Sequence, residues 1–179
     1  MKGSGGLLIA LDVDGVLRNF EKSLQRVYRA YYPGWWCEPV TNWKLAPFYE
    51  IGEEIERFAF VEHPWEVFAG AETYPGALEM VYRLKDLGAD VFYLTTQWDT
   101  TRDATGYWLA QKGFAGLGAV CFARSEEEKA RALDDYRADG LIDDGPHNLE
   151  AAQGAGYPVL CVDRAWNRDF QGSRARTWD

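Results

Sequence analysis

The sequence predicts a doubly wound parallel α/β sheet with a small helical insertion, and three observations carry that prediction. Short apolar runs alternate with segments of helical period. Most of these runs end in threonine, aspartate or glycine rather than in a hairpin turn. One stretch, residues 18–74, breaks the alternation and holds 14 of the 27 aromatic residues. Continuous apolar strands separated by helices imply a sheet covered on both faces, and in such sheets ligands bind beyond the carboxyl ends of the strands. A chain of 179 residues suits one domain of ordinary size with an insertion.

Strands are expected at residues 7–11, 91–94, 119–122, 141–142 and 158–162. Between them, Ala77, Met80, Val81, Leu84 and Leu87 mark a helix that Gly88 stops. Residues 101–112 form a second helix, closed by Gly113 in the same way. Ser125 opens a third with Ser-Glu-Glu-Glu, a capping box, and carries Ala130, Leu133 and Tyr136 on one face. Pro146 suits the first turn of a fourth, running to about Gly154. Residues 18–74 contain no convincing strand. Leu24, Val27, Tyr28 and Tyr31, then Phe48, Ile51, Ile55 and Phe58, recur there at helical spacing. The expected organisation is a core of residues 1–17 and 75–179 with a helical cap at 18–74. Neither Gly3 to Gly6 nor Gly113 to Gly118 has the spacing of a phosphate-binding loop.

Acidic residues number 28 against 19 basic ones, a formal charge of −9. That balance disfavours stable binding to duplex nucleic acid or to an anionic membrane, both of which need basic patches. A small anionic substrate stays open, because one metal ion inverts the sign of a pocket. Cys37, Cys121 and Cys161 form no CxxC pair; Cys121 and Cys161 lie in apolar runs and are expected to be buried thiols. No run approaches a membrane span or a signal peptide, so a cytoplasmic location is expected. His63 and His147 are too far apart in sequence to suggest a zinc site, and His147 reads as a polar residue at a helix start.

The strand ends carry the chemistry. The first apolar run enters Asp12-Val-Asp14-Gly15, and residues two apart on an extended chain point to the same side. At ~4 Å and an effective dielectric of about 20, two such carboxylates repel by roughly 4 kcal/mol, which calls for a cation. The strand at 91–94 ends in Thr95-Thr96, offering a hydroxyl and free N–H groups to a phosphate. The strand at 141–142 ends in Asp143-Asp144, and Lys129 lies 14 residues before Asp143. Taken singly, each is an ordinary turn, cap or surface residue. Four of them at one sheet edge are far less ordinary.

In this combination the chain resembles the magnesium-dependent phosphatases of the haloacid dehalogenase (HAD) superfamily. Asp12-Val-Asp14-Gly-Val matches the first motif, Thr95 the second, Lys129 the third and Asp143-Asp144 the fourth, with Tyr74-Pro-Gly-Ala-Leu before the second. Within it, Ile142-Asp-Asp-Gly-Pro-His-Asn148 and Pro158-Val-Leu-Cys-Val-Asp-Arg-Ala-Trp-Asn-Arg168 resemble the 5′(3′)-deoxyribonucleotidase group. The chain departs from that group at Thr96-Gln97, where relatives often carry Ser-Pro. The resemblance implies a Rossmann-like core, with Asp12 as nucleophile and Asp14 as general acid and base. It further implies phosphate contacts from Thr95, Thr96 and Lys129. Mg²⁺ would be held by Asp12, Asp14 through its backbone carbonyl, and Asp143, with Asp144 either a further ligand or just behind them. The substrate would be a small phosphorylated molecule, a nucleotide first of all.

Trp35, Trp36, Trp43, Phe48 and, after Thr95, Trp98 are the candidate walls of the substrate pocket, since base–aromatic stacking contributes about 1–3 kcal/mol per base. A helical insertion also needs large side chains for its own core, so each aromatic has a competing use. Sugar phosphates and polynucleotide 3′-phosphates remain alternative substrates. A receiver-type signalling domain is remote, because its Lys follows the acidic positions whereas Lys129 precedes Asp143. An inactive phosphate-binding protein would not need Asp12, Asp14, Thr95 and Lys129 all intact.

Overall fold

The structure, a computed structural model, describes residues 6–178. Six strands, β1 (Leu8–Leu11), β2 (Asp90–Thr96), β3 (Gly118–Ala123), β4 (Gly140–Asp143), β5 (Val159–Val162) and β6 (Arg174–Ala175), form one sheet in the order β3-β2-β1-β4-β5-β6. Every pairing is parallel. The order reverses at β1, whose neighbours are β2 and β4, so the crevice at the carboxyl end of β1 is the switch point where such sheets bind ligands. The glycine-rich start at 3–5 lies outside the described residues.

Successive side chains on a strand face opposite ways, and the two layers of core follow from that. Leu11 of β1 and Val91 and Tyr93 of β2 pack on one face with Val81, Trp108 and Phe114. Ala10 of β1 and Phe92 and Leu94 of β2 pack on the other with Ala132, Leu133, Leu141 and Ala152. Leu141 belongs to β4 and Phe114 follows α4; the others come from helices α3 (Ala77–Asp86), α4 (Arg102–Gln111), α5 (Glu126–Tyr136) and α6 (Pro146–Gly154), close to the expected spans.

Some details differ from the sequence expectation. Ser125 Oγ accepts from Glu128 N at 3.3 Å, but the Glu128 carboxylate accepts from Arg124 N rather than returning to Ser125, so the box is only half closed. Cys161 is buried as expected, whereas Cys121 is only half-buried because β3 is an edge strand. Strand β6 was not expected; two residues carry no periodicity, and their pairing with β5 arises from the fold.

Among the described residues, 18–74 hold no strand. They contain α1 (Phe20–Tyr31) and α2 (Glu54–Arg57), a 3₁₀ turn at Ala46–Phe48, and π-helical turns at Phe58–Glu62 and Trp65–Ala69. Leu24, Val27 and Tyr28 on one face of α1 meet Tyr49, Ile55, Phe58, Val67 and Phe68 in a separate apolar cluster. Asn19 caps α1 by accepting from Lys22 N at 3.2 Å. This cluster reaches the sheet layers through Ala104 of α4, and Phe60 stacks on Trp98 with ring centroids 5.5 Å apart.

Candidate active site

The carboxyl ends of β1, β2 and β4 supply Asp12, Thr95 and Asp143, and parallel pairing brings them to one edge. Asp12 is held there by its N–H donating to Ile142 O at 2.9 Å. Lys129 on α5 is buried, and its Nζ lies 2.6 Å from Asp12 Oδ1 and 2.7 Å from Asp143 Oδ2. Apart from this ammonium, no donor reaches the buried Asp143 Oδ2. Asp143 Oδ1 accepts from Gly145 N at 2.7 Å.

Burial pushes the Asp12 carboxyl up to about 7; the Lys129 charge opposes that rise, and Asp143 and Asp14 add to it. Asp144 is likewise raised, by burial first and then by Asp143 and Asp12. For Lys129, burial would lower the ammonium, but the two carboxylates outweigh it and hold it above the usual lysine range. One buried cation thus faces three buried carboxylates.

Asp12, Asp143 and Asp144 each place a carboxylate oxygen within 4.8 Å of the others, the one such group of possible metal ligands among the described residues. Three sets of hard oxygen donors, more buried carboxylates than the one ammonium can pair, fit a hard divalent cation. The Asp14 side chain lies outside this group. Its carboxylate accepts from Arg18 Nε at 2.7 Å, Arg18 Nη2 at 2.9 Å and Gln97 Nε2 at 2.7 Å.

Arg164, Trp166 and Asn167 brace the acidic loop. Trp166 Nε1 donates to Asp144 Oδ2 at 2.8 Å, and Asn167 Nδ2 donates to Asp144 O and Val162 O, both at 2.8 Å. Arg164 Nε donates to Gly15 O at 2.7 Å, with its guanidinium 3.7 Å from the Tyr74 ring centre. Gly15 itself has φ +76°, and a Cβ there would lie 2.0 Å from Asp144 Oδ2. Gly15→Ala is therefore expected to destabilise the fold by about 2–3 kcal/mol, from the left-handed backbone and the displaced Asp144 together. Urea denaturation measures this; an unchanged midpoint would contradict the close approach.

A cavity of about 290 Å³ opens onto these groups. Asp12, Asp14, Thr95, Thr96, Lys129, Asp143 and Asp144 all line it, with Trp43 and Trp98 on its walls. The other expected aromatics are elsewhere: Trp35 and Trp36 are about half exposed, and Phe48 packs against the cluster of α1. Sequence reasoning missed Phe60, Trp166, Glu21 and Glu56 as lining residues. It also missed Arg18 and Gln97, although the Gln97 departure from the Ser-Pro of relatives was a visible signal. His147, on α6, meets the edge of Trp43 at 6.4 Å and ligates nothing in the acidic group.

Solved structures share this arrangement of chain. CbbY from Rhodobacter sphaeroides, solved with phosphate, superposes with a TM-score of 0.66 at 17% identity, covering 97% of this chain and 95% of that one. YfnB from Bacillus subtilis, of the HAD-hydrolase type and solved bound to magnesium, gives 0.64 at 11% identity over 96% and 95%. Both likenesses show that the chain has the HAD-like α/β fold.

The model of the family "5' nucleotidase, deoxy (Pyrimidine), cytosolic type C protein" matches residues 6–179, and the chain belongs to that family. A protein of Chlorobaculum tepidum named "Putative 5'(3')-deoxyribonucleotidase" is 23% identical over 188 residues, 96% of this chain and 86% of that protein. A "Putative nucleotidase" of Oceanobacillus iheyensis is 30% identical over 103 residues, 57% of this chain and 55% of its own length. That match spans about half of the relative. Among the described residues no helix is long and apolar enough to cross a membrane.

Proposed function

We propose that the protein is a Mg²⁺-dependent phosphomonoesterase that hydrolyses nucleoside 5′-monophosphates, deoxyribonucleotides foremost, through an aspartyl-phosphate on Asp12. The observation that carries this reading is the shared cavity. Asp12, Asp14, Lys129 and the acidic pair open into the same space as the Trp98–Phe60 stack and Trp43. The cavity offers a phosphate a reactive end and offers a flat ring an apolar end.

In the first step an Asp12 oxygen attacks phosphorus, the ester P–O bond breaks, and its electron pair leaves on the alcohol oxygen, to which Asp14 delivers a proton. In the second, Asp14 takes a proton from water as the water oxygen attacks phosphorus, releasing phosphate and free Asp12. Lys129 and the Thr95 and Thr96 groups hold the equatorial oxygens and offset their growing charge. Asp12, the Asp14 carbonyl, Asp143 and Asp144 would hold Mg²⁺, which supplies electrostatic stabilisation of the transferring phosphoryl group. Residues 18–74 would serve as the cap, setting which substrates reach this chemistry.

Charge supports a substrate with one phosphoryl group. Six carboxylates line the cavity, Glu21 and Glu56 among them, against the single ammonium of Lys129. A second phosphate or a polynucleotide backbone would meet repulsion there. Phosphate release in Mg²⁺ should therefore give a kcat/KM on dUMP or dTMP about tenfold or more above that on simple sugar phosphates and 3′-phosphorylated oligonucleotides, from one stacked base. Equal values across these classes would remove the nucleotidase reading and leave the phosphatase one.

A further inference from the structure

The side chain of Asp14 sits in a closed ring of hydrogen bonds that the reaction scheme alone does not require. Arg18, fully buried, grips both Asp14 oxygens through Nε and Nη2. Its remaining terminal nitrogen, Nη1, donates to Thr105 Oγ1 at 3.0 Å and to Phe68 O at 3.4 Å. Thr105 Oγ1 in turn donates to Gln97 Oε1 at 2.8 Å, and Gln97 Nε2 returns to Asp14 Oδ2 at 2.7 Å. Thr101 Oγ1 also reaches Gln97 Oε1, at 3.3 Å. Phe68 and Trp108 cover the guanidinium with ring centres 4.8 and 5.1 Å away.

We infer that Arg18 and Gln97 are positioning residues that aim the Asp14 carboxylate at the leaving-group oxygen. A buried guanidinium is costly unless paired, and Asp14 is its only ion-pair partner among the described residues. Its planar fork fixes the plane of the carboxylate, which a lysine ammonium would leave free to turn. Gln97 then selects one oxygen of the two, leaving Asp14 Oδ1 with a single donor and a lone pair for the substrate side. A proline at position 97 would offer no such donor. Thr105 makes the two grips interdependent, since its hydroxyl accepts from one and donates to the other.

The inference rests on the phosphomonoesterase reading, and the test separates the two. General acid help matters when the leaving group is an alkoxide, as from a nucleoside, and hardly at all for p-nitrophenolate, which departs without a proton. The Gln97→Met variant keeps the volume and removes the hydrogen bonds. Its ratio of kcat/KM on dUMP to kcat/KM on p-nitrophenyl phosphate should fall about tenfold or more, because misaiming an acid loses most of its contribution. Arg18→Lys, which keeps the charge and loses the fork, should lower the same ratio. A merely structural role would reduce both substrates equally, and an unchanged ratio in a folded Gln97→Met protein overturns the inference. A wild-type protein inert toward every phosphomonoester removes the underlying reading instead.

Discussion

Asp12→Asn is expected to reduce phosphomonoester hydrolysis by about 10⁴-fold or more, the scale seen when an enzymatic nucleophile is deleted. The substitution is nearly isosteric, and an amide does not form the covalent acyl phosphate. The fold should survive it. Asp12 is a buried carboxyl pushed up to about 7, so a neutral amide is easier to bury than the anion. Lys129 keeps Asp143 at 2.7 Å and so keeps an ion-pair partner. Phosphate release with dUMP measures the loss, and a thermal melt shows that the variant is folded. Rapid-quench labelling with radioactive phosphate substrate should find protein-bound, base-labile label in the wild type and none in the variant. Substantial hydrolysis by Asp12→Asn would mean that another group attacks phosphorus.

Removal of divalent cation is expected to have the second largest effect, at least about 10³-fold on turnover, reversed by added Mg²⁺. The same acidic group gives it a distinctive pH signature. The Asp12 carboxyl has an ordinary value of 3.8 and is pushed up to about 7 in the folded chain, and Asp144 shifts the same way. Below about 4 both folded and unfolded chains are protonated at Asp12, and the group contributes nothing to stability. As pH rises toward 7 the unfolded chain releases the proton first, so the metal-free fold loses stability across that window. A bound cation needs ionised carboxylates, so its stabilisation grows over the same range. The Tm difference between Mg²⁺ and EDTA should therefore widen from pH 5 to pH 8, and Asp144→Asn should narrow it. A difference that does not vary with pH, or activity that persists in EDTA, would separate the acidic group from metal binding.

The parts of the site legible in the sequence are those fixed by position on a strand. Asp12, Thr95 and Asp143 each follow or end an apolar run, and a parallel sheet brings such ends together whatever the details of packing. Lys129 could be read because a capped helix of known start places it one turn in. The pocket walls could not be read in the same way. Residues 33–45 form no regular element, so no period says which of Trp35, Trp36 and Trp43 turns inward. Of the three only Trp43 lines the cavity, over Gly145, where an added Cβ would lie 3.0 Å from its ring. Arg18 looks like a surface residue in sequence, and only the packing of Phe68, Thr105 and Trp108 around it shows otherwise. The π-helical turns hid Phe60 for a related reason, since their extra residue per turn breaks the spacing on which helical faces are read.

The contacts that finish the acidic pocket run almost the length of the chain. Lys129 reaches Asp12 across 117 residues, and Arg164 reaches Gly15 across 149. During synthesis, then, the DVDG turn leaves the ribosome long before the ammonium that neutralises it, and Trp166 emerges later still. A nascent chain stopped short of residue 166 would already hold all four acidic residues of the motifs but not the indole that donates to Asp144. With Asp12 as the proposed nucleophile, a half-made chain would carry that carboxylate without the bracing that finishes its pocket.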